Sequence, residues 1–493
     1  MNEERISSRC NNFKSTLHNF SINFPSDIEK IRVKIKKLNL DEYREYLNFN
    51  LKANFKFIFK QNASLQIREE EQKVLEHQIS LIKENLELDQ FDEPLNQLEL
   101  IIQSNYHISF LKIVINSNII YILIKAFYIL IYSKSIMITK MIFIFTFLSF
   151  DEKIKAELIK KTGLSIFVSM INSLPYSDLE NLLKLIINIA TRKYEKETLV
   201  ELNLIKKIDQ RIDDICSSLS LLYYVLKLCT KLLNTSKILI FSEIIIISIE
   251  IILSNIEGNL LTTSLKLLSI ASCDFSVIYY LDKMIGINSI CKCLNLLSSV
   301  NSTKALDQTN LPNEMMKLHH SNKKNQYYCI SILVNITSKV QLENVNDILI
   351  QSRLFLENEI ASIESHKLIE LNIILLNNLC EKSTYKLMIF SGIIEKIFEK
   401  IPILINLGNP GDSGLIQDIE DLILNLLYFC EKHEIIDQIK KIYNYLLYPQ
   451  LGTKFVQKIF NMLESLQIKA EESINDDEFA YLIKKLQNIL NFK

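Results

Sequence analysis

The sequence predicts an all-α chain built as a solenoid of helical repeats, and three observations carry that prediction. Apolar residues recur at helical spacing, as in the stripes Leu371, Ile374, Leu375, Leu379 and Ile394, Ile397, Phe398, Ile401. The 493-residue chain holds only 8 Gly and 7 Pro, too little material for the turns of a β-fold. Finally, one phrase repeats along the chain: an apolar helix, a polar break, a short helix, then Gly or Asn ahead of another apolar helix. No such hairpin can bury its stripe alone, so each must stack on the next.

Residues 1–60 read as an N-terminal extension. Its first part is polar and rich in Ser and Asn, with Pro25 as a break. The segment KIRVKIKKLNLDEYREYLNFNLK then gathers Lys30, Arg32, Lys34, Lys36 and Lys37. It alternates with period two, unlike an amphipathic helix, so a solvated charged edge is one reading of it. Residues 61–92, including REEEQKVLEHQISLIKENLEL, form a charged amphipathic capping helix.

Residues 93–493 read as the repeat array. The residues that open the last helix of each repeat are Asn118, Gly163, Asn203, Ser242, Gly286, Ser352 and Gly392. Gly392 is expected to take the positive φ that ends a helical turn. The anchors lie about 40 to 45 residues apart with one longer gap, a period that defines armadillo or HEAT units, about eight of them, in a right-handed superhelix. The long gap holds a polar insertion at 299–326, expected as a loop on one face. LGNPGDSGL, from Leu407's neighbourhood to Leu415, reads as an inter-repeat loop, because no strand precedes it and no Lys-Ser/Thr follows. EFAYLIKKLQNIL closes the chain as a terminal helix.

Composition removes several function classes. The formal net charge is -1, so no overall field draws the chain to nucleic acid or acidic membrane. The opening MNEERISSRC has no apolar core, and an intracellular protein is expected. Lys112, Lys125, Lys134, Lys140 and Asp151 cut the apolar region from Ile113 to Phe150 into uncharged pieces of about a dozen residues or fewer, short of a bilayer span. The nine cysteines fall mostly on apolar helical faces and read as reduced core thiols. Cys291-Lys-Cys293 with His319-His320 lacks zinc-module spacing, so no metal and no cofactor is expected. The seven histidines are scattered, with no HExxH, phosphate-loop or dinucleotide motif, and no enzymatic activity is expected.

Leu376-Asn377-Asn378-Leu379-Cys380 and Ile186-Ile187-Asn188-Ile189-Ala190-Thr191 resemble the armadillo superfamily, and Asn335 of VNIT takes the same repeat position as Asn188 and Asn378. A ladder of Asn on the inner helices can clamp the backbone of an extended peptide; the alternative is a set of capping or turn Asn. In the N-terminal extension, Asn12-Phe13-Lys14, then Val33-Lys34-Ile35-Lys36-Lys37 and Asp41-Glu42, resemble the importin-β-binding segment of importin-α. That resemblance implies a nuclear-transport adaptor of cytoplasm and nucleus. Lys30, Arg32, Lys34, Lys36 and Lys37 would dock into importin-β, while Asn188, Asn335, Asn378 and Tyr223 would line the groove for a nuclear-localisation peptide. The family's groove Trp residues have no counterpart, since the chain has none. Phe143, Lys184, Tyr223, Leu265, Ser331 and Ile374 stand in their places, with Lys184 and Lys227 expected to repel a basic ligand. The alternative function is a non-transport armadillo scaffold for a cytoskeletal, ciliary or signalling complex.

Overall fold

The computed structural model describes residues 69–492, apart from 105–107, 234–241, 254–258, 295–312, 359–362, 400–412, 447–452, 469–475 and a few single positions. The extension 1–60, with its five basic residues, and most of the LGNPGDSGL stretch lie outside the described residues. Among the described residues every regular element is helical, and no helix is long and apolar enough to cross a membrane. The chain forms two compact units, Met1–Thr263 and Ser264–Lys493.

The first unit runs α1 (Glu69–Glu87), α2 (Asp92–Ser104), α3 (Ile108–Asn116), α4 (Ile119–Ser133), α5 (Ile138–Leu148), α6 (Glu152–Thr162), α7 (Leu164–Met170), α8 (Tyr176–Ile189), α9 (Lys193–Glu201), α10 (Leu204–Asp209), α11 (Ile212–Ile215), α12 (Leu219–Leu232) and α13 (Ser242–Leu253). Helices α2, α5, α8 and α12 pack in that order as one line, and α1, α4 and α6 pack as another. The turns between short helices are made where the sequence places them. Asn118 and Asn203 sit at φ 57 and 58, a left-handed conformation that Asn tolerates better than most residues. Gly163 closes α6 and opens α7 at φ 73, ψ 149, a region essentially reserved for glycine.

Several buried or half-buried polar groups in this unit are paired. Asp151 caps α6 by accepting from the Lys153 and Ile154 amides at 2.9 and 3.1 Å. The Glu195 carboxylate accepts from the Thr191 and Arg192 amides at 3.0 and 2.8 Å, fixing the entry to α9. Buried Lys155 reaches the Thr191 hydroxyl at 3.2 Å and Glu152 at 2.5 Å, which ties α6 to the same turn. The core around α4 is aromatic, with Phe127 edge-on to Phe145 at 5.1 Å and tilted against Phe167 at 5.8 Å.

The second unit takes in the end of α14 (Asn259–Ala271), then α15 (Phe275–Met284), α16 (Asn313–Thr337), α17 (Asn346–Asn358), α18 (Ile363–Leu379), α19 (Tyr385–Phe390), α20 (Ser413–Phe429), α21 (Lys432–Leu446), α22 (Thr453–Ile468) and α23 (Asp476–Phe492). Helices α16, α18 and α20 form its line, and α22 and α23 pair near the end. Gly392 takes the expected positive φ, at 70, and Gly286 takes φ 83.

Two expectations need correction. Ser352 does not open a helix: it lies inside α17, buried, and its carbonyl accepts from Asn372 Nδ2 at 3.2 Å. The 299–326 insertion is not a loop throughout, because α16 already begins at Asn313 and runs unbroken into the apolar stripe. Of the cysteines described, Cys216, Cys229, Cys291, Cys329 and Cys380 are buried and Cys273 is exposed. Burial pushes the Cys291 and Cys380 thiols up to about 12, which leaves almost no thiolate at neutral pH.

Candidate protein-binding surface

The three asparagines occupy equivalent places. Asn188 on α8 donates from Nδ2 to the Thr146 carbonyl (3.3 Å) and the Ser149 hydroxyl (3.0 Å) at the end of α5. Asn335 on α16 does the same to the Ser269 carbonyl (3.1 Å) and Ser272 hydroxyl (2.9 Å). Asn378 on α18 reaches the Val334 carbonyl (3.1 Å) and Thr337 hydroxyl (3.3 Å) on α16. Each side chain thus spends its donors on a carbonyl and, three residues further on, a hydroxyl of the inner helix before it. This pinning adds a donor from the next repeat to carbonyls that already accept from a hydroxyl three residues further on, Ser149 to Thr146, Ser272 to Ser269 and Thr337 to Val334. The Oδ1 atoms accept nothing from the described residues, and all three side chains are half-buried, so what the ladder offers a partner is acceptors.

Where the Asn is missing, a lysine takes over. On α12 the Asn position is Lys227, and Lys231 one turn later donates to the Ile187 carbonyl at 2.7 Å, the same place in its repeat as the Thr146 and Val334 carbonyls. Asn425 extends the ladder on α20, donating to Asn377 Oδ1 at 2.7 Å. Sequence reasoning missed both, although their repeat spacing was available to find them.

Tyr223 stands beside Tyr224 on α12, with ring centroids 5.2 Å apart. The two lysines expected to act alike differ. Lys184 is neutralised by Glu180 at 2.6 Å and lies 4.9 Å from the Tyr224 ring centre; Glu180 also accepts from the Ser220 hydroxyl at 2.5 Å. Lys227 lies 5.4 Å over Tyr223 and 6.0 Å from Tyr224, with no carboxylate partner among the described residues. Burial lowers its pKa below the ordinary lysine value and raises that of Tyr223. Lys184 is therefore no bare repulsive charge, whereas Lys227 is a half-buried cation without a counterion among the described residues.

In the second unit Leu265 is fully buried and lines no surface, while Ser331 and Ile374 are half-buried. A feature that sequence reasoning did not pick out lies on α20. Burial first, then the Glu370 and Asp421 charges, raise the pKa of the Asp418 carboxyl. Asp418 of α20 thus lies within electrostatic reach of Glu370 on α18 and of Asp421 on its own helix. Among the described residues, no group of three or more His, Cys, Asp or Glu is placed to hold a metal ion.

Comparison with solved structures shows the same fold in other proteins. A structure concerned with a phosphorylation switch controlling the interaction between cadherin and beta-catenin has a TM-score of 0.55 and 13% identity, covering 76% of this chain and 66% of that one. The SYS-1/POP-1 complex has a TM-score of 0.52 and 13% identity, covering 94% and 95% of the two chains. An engineered protein gives 0.51 and 11%, covering 85% and 98%. No protein-family model and no curated protein matches the sequence. At such identities the likeness is one of fold. The fold is all-α, of the armadillo-repeat type, shared with the protein-binding neighbours beta-catenin and SYS-1.

Proposed function

We propose that this chain is an armadillo-type scaffold that holds an extended, acidic segment of a partner protein against α5, α8 and α12. The cadherin–beta-catenin and SYS-1/POP-1 structures concern protein–protein binding on the same fold, which supports a scaffold. The observation that carries the reading is Lys227, desolvated over Tyr223 and without a counterion among the described residues. A carboxylate delivered by a partner would restore its ionised form, and neighbouring Asn188 offers Oδ1 to the partner's backbone amides. The test is fluorescence anisotropy with labelled peptides of alternating Glu and Ala, or Lys and Ala. The acidic peptide is expected to bind, Lys227→Met to weaken it about tenfold, or about 1.4 kcal/mol, and binding to fade with rising pH below the range where an ordinary lysine titrates. Tighter binding of the Lys peptide, unaffected by Lys227→Met, ends the proposal.

A second reading, the importin-α-like adaptor of cytoplasm and nucleus, draws support from the Glu370, Asp418 and Asp421 carboxylates, which suit a basic cargo peptide. On that reading the segment with Lys30, Arg32, Lys34, Lys36 and Lys37 docks into importin-β. A peptide of residues 1–60 is then expected to retain importin-β at low salt, and failure to do so removes this reading.

A further inference from the structure

A second surface lies on helices outside the inner line. Between α1, the α3–α4 turn and α6 runs a groove of about 590 Å³. Its floor is apolar, made by Ile115, Ile120, Ile122 and Ile154. Tyr121 stands in it with 65% of its surface exposed, its ring held by Lys161 at 5.5 Å.

The two walls carry the same charge pattern. Lys83 and Glu87 lie one turn apart on α1, and Lys153 and Glu157 one turn apart on α6. None of the four is ion-paired among the described residues. In both pairs the lysine precedes the glutamate, the weaker orientation for a bond within one helix, so the charges remain available to something outside. Within each wall the lysine and the glutamate that line the groove offset one another, with Lys161 of α6 engaged over the Tyr121 ring, so a segment carrying both signs fits the pattern better than a purely acidic or purely basic one.

We propose that this groove seats an amphipathic α-helix of a partner protein, with its apolar stripe on the isoleucine floor and Glu and Lys one turn apart on both flanks. A helix is about 10–12 Å across and presents two charged flanks beside one apolar stripe at the same time. An extended strand sends alternate side chains up and down and turns backbone amides toward the walls, so it cannot pair with four side-chain charges. The spacing agrees as well, since residues four apart on any helix stand about 6 Å apart along its axis.

The test uses the full chain and labelled helical peptides of about 18 residues, each with a leucine stripe, flanked by mixed Glu and Lys, by Glu alone or by Lys alone. The mixed peptide is expected to bind tightest. Tyr121→Asp should weaken it at least tenfold. Lys83→Glu with Lys153→Glu, which makes both walls acidic, should weaken the mixed peptide and strengthen the all-Lys peptide. That gain of binding also guards against a variant that simply fails to fold. Three results overturn the proposal: no preference for the mixed peptide, equal binding of a proline-interrupted peptide of the same composition, or self-association of the chain that Tyr121→Asp abolishes, which would make a second copy the occupant.

Discussion

Phe127→Ala is expected to destabilise the first unit by about 3–5 kcal/mol, the usual cost of emptying a well-packed aromatic site. Phe127 is fully buried, and its ring meets Phe145 of α5 and Phe167 of α7 from its own place on α4. Three helices therefore lean on one side chain. The void would be shared among rigid elements with little freedom to close it, which puts the cost toward the upper part of that range. Loss of the two ring contacts adds to the lost burial. Denaturant unfolding followed by far-ultraviolet circular dichroism measures the effect, since no Trp is present to report fluorescence. A loss below about 1 kcal/mol would mean that the unit relaxes around the gap and that the aromatic cluster is incidental.

The double substitution Asn335→Ala and Asn378→Ala is expected to cost the second unit about 2–6 kcal/mol, because Asn335 gives up three hydrogen bonds and Asn378 two, at about 0.5–1.5 kcal/mol apiece. The two sites are coupled, since Asn378 binds the carbonyl of Val334, the residue just before Asn335, so the costs need not add. Asn378→Asp should be worse than Asn378→Ala. It sets a carboxylate oxygen against the Val334 carbonyl at a distance where only a donor belongs. Hydrogen exchange at the end of α16 should rise in step with the loss of stability. If Asn378→Ala leaves stability unchanged but abolishes peptide binding, the pinning role is wrong and the ladder belongs to the ligand.

Much of the fold was legible because its signals are local. Asn118, Gly163, Asn203, Gly286 and Gly392 all take positive φ, a demand that one residue meets by itself. Ser352 failed because the long polar stretch before it stretched the repeat spacing, so the count landed inside α17. The equivalence of Asn188, Asn335 and Asn378 was also readable from register. Their partners were not, since they lie 39 to 66 residues earlier in the chain. The Lys184–Glu180 pair was within reach, four residues apart on one helix; the Asp418–Glu370 proximity needs two helices to be placed side by side.

The Asn pins also have a direction. Every one reaches back toward the amino terminus, and none of the three reaches forward. Removing a later repeat therefore bares a carbonyl and a hydroxyl, small groups that water rehydrates readily, whereas removing an earlier one leaves a carboxamide dangling from a half-buried wall. An array joined this way lengthens or shortens most cheaply at its trailing edge. New modules could be appended there without altering the ones already in place, which favours evolutionary growth from that side.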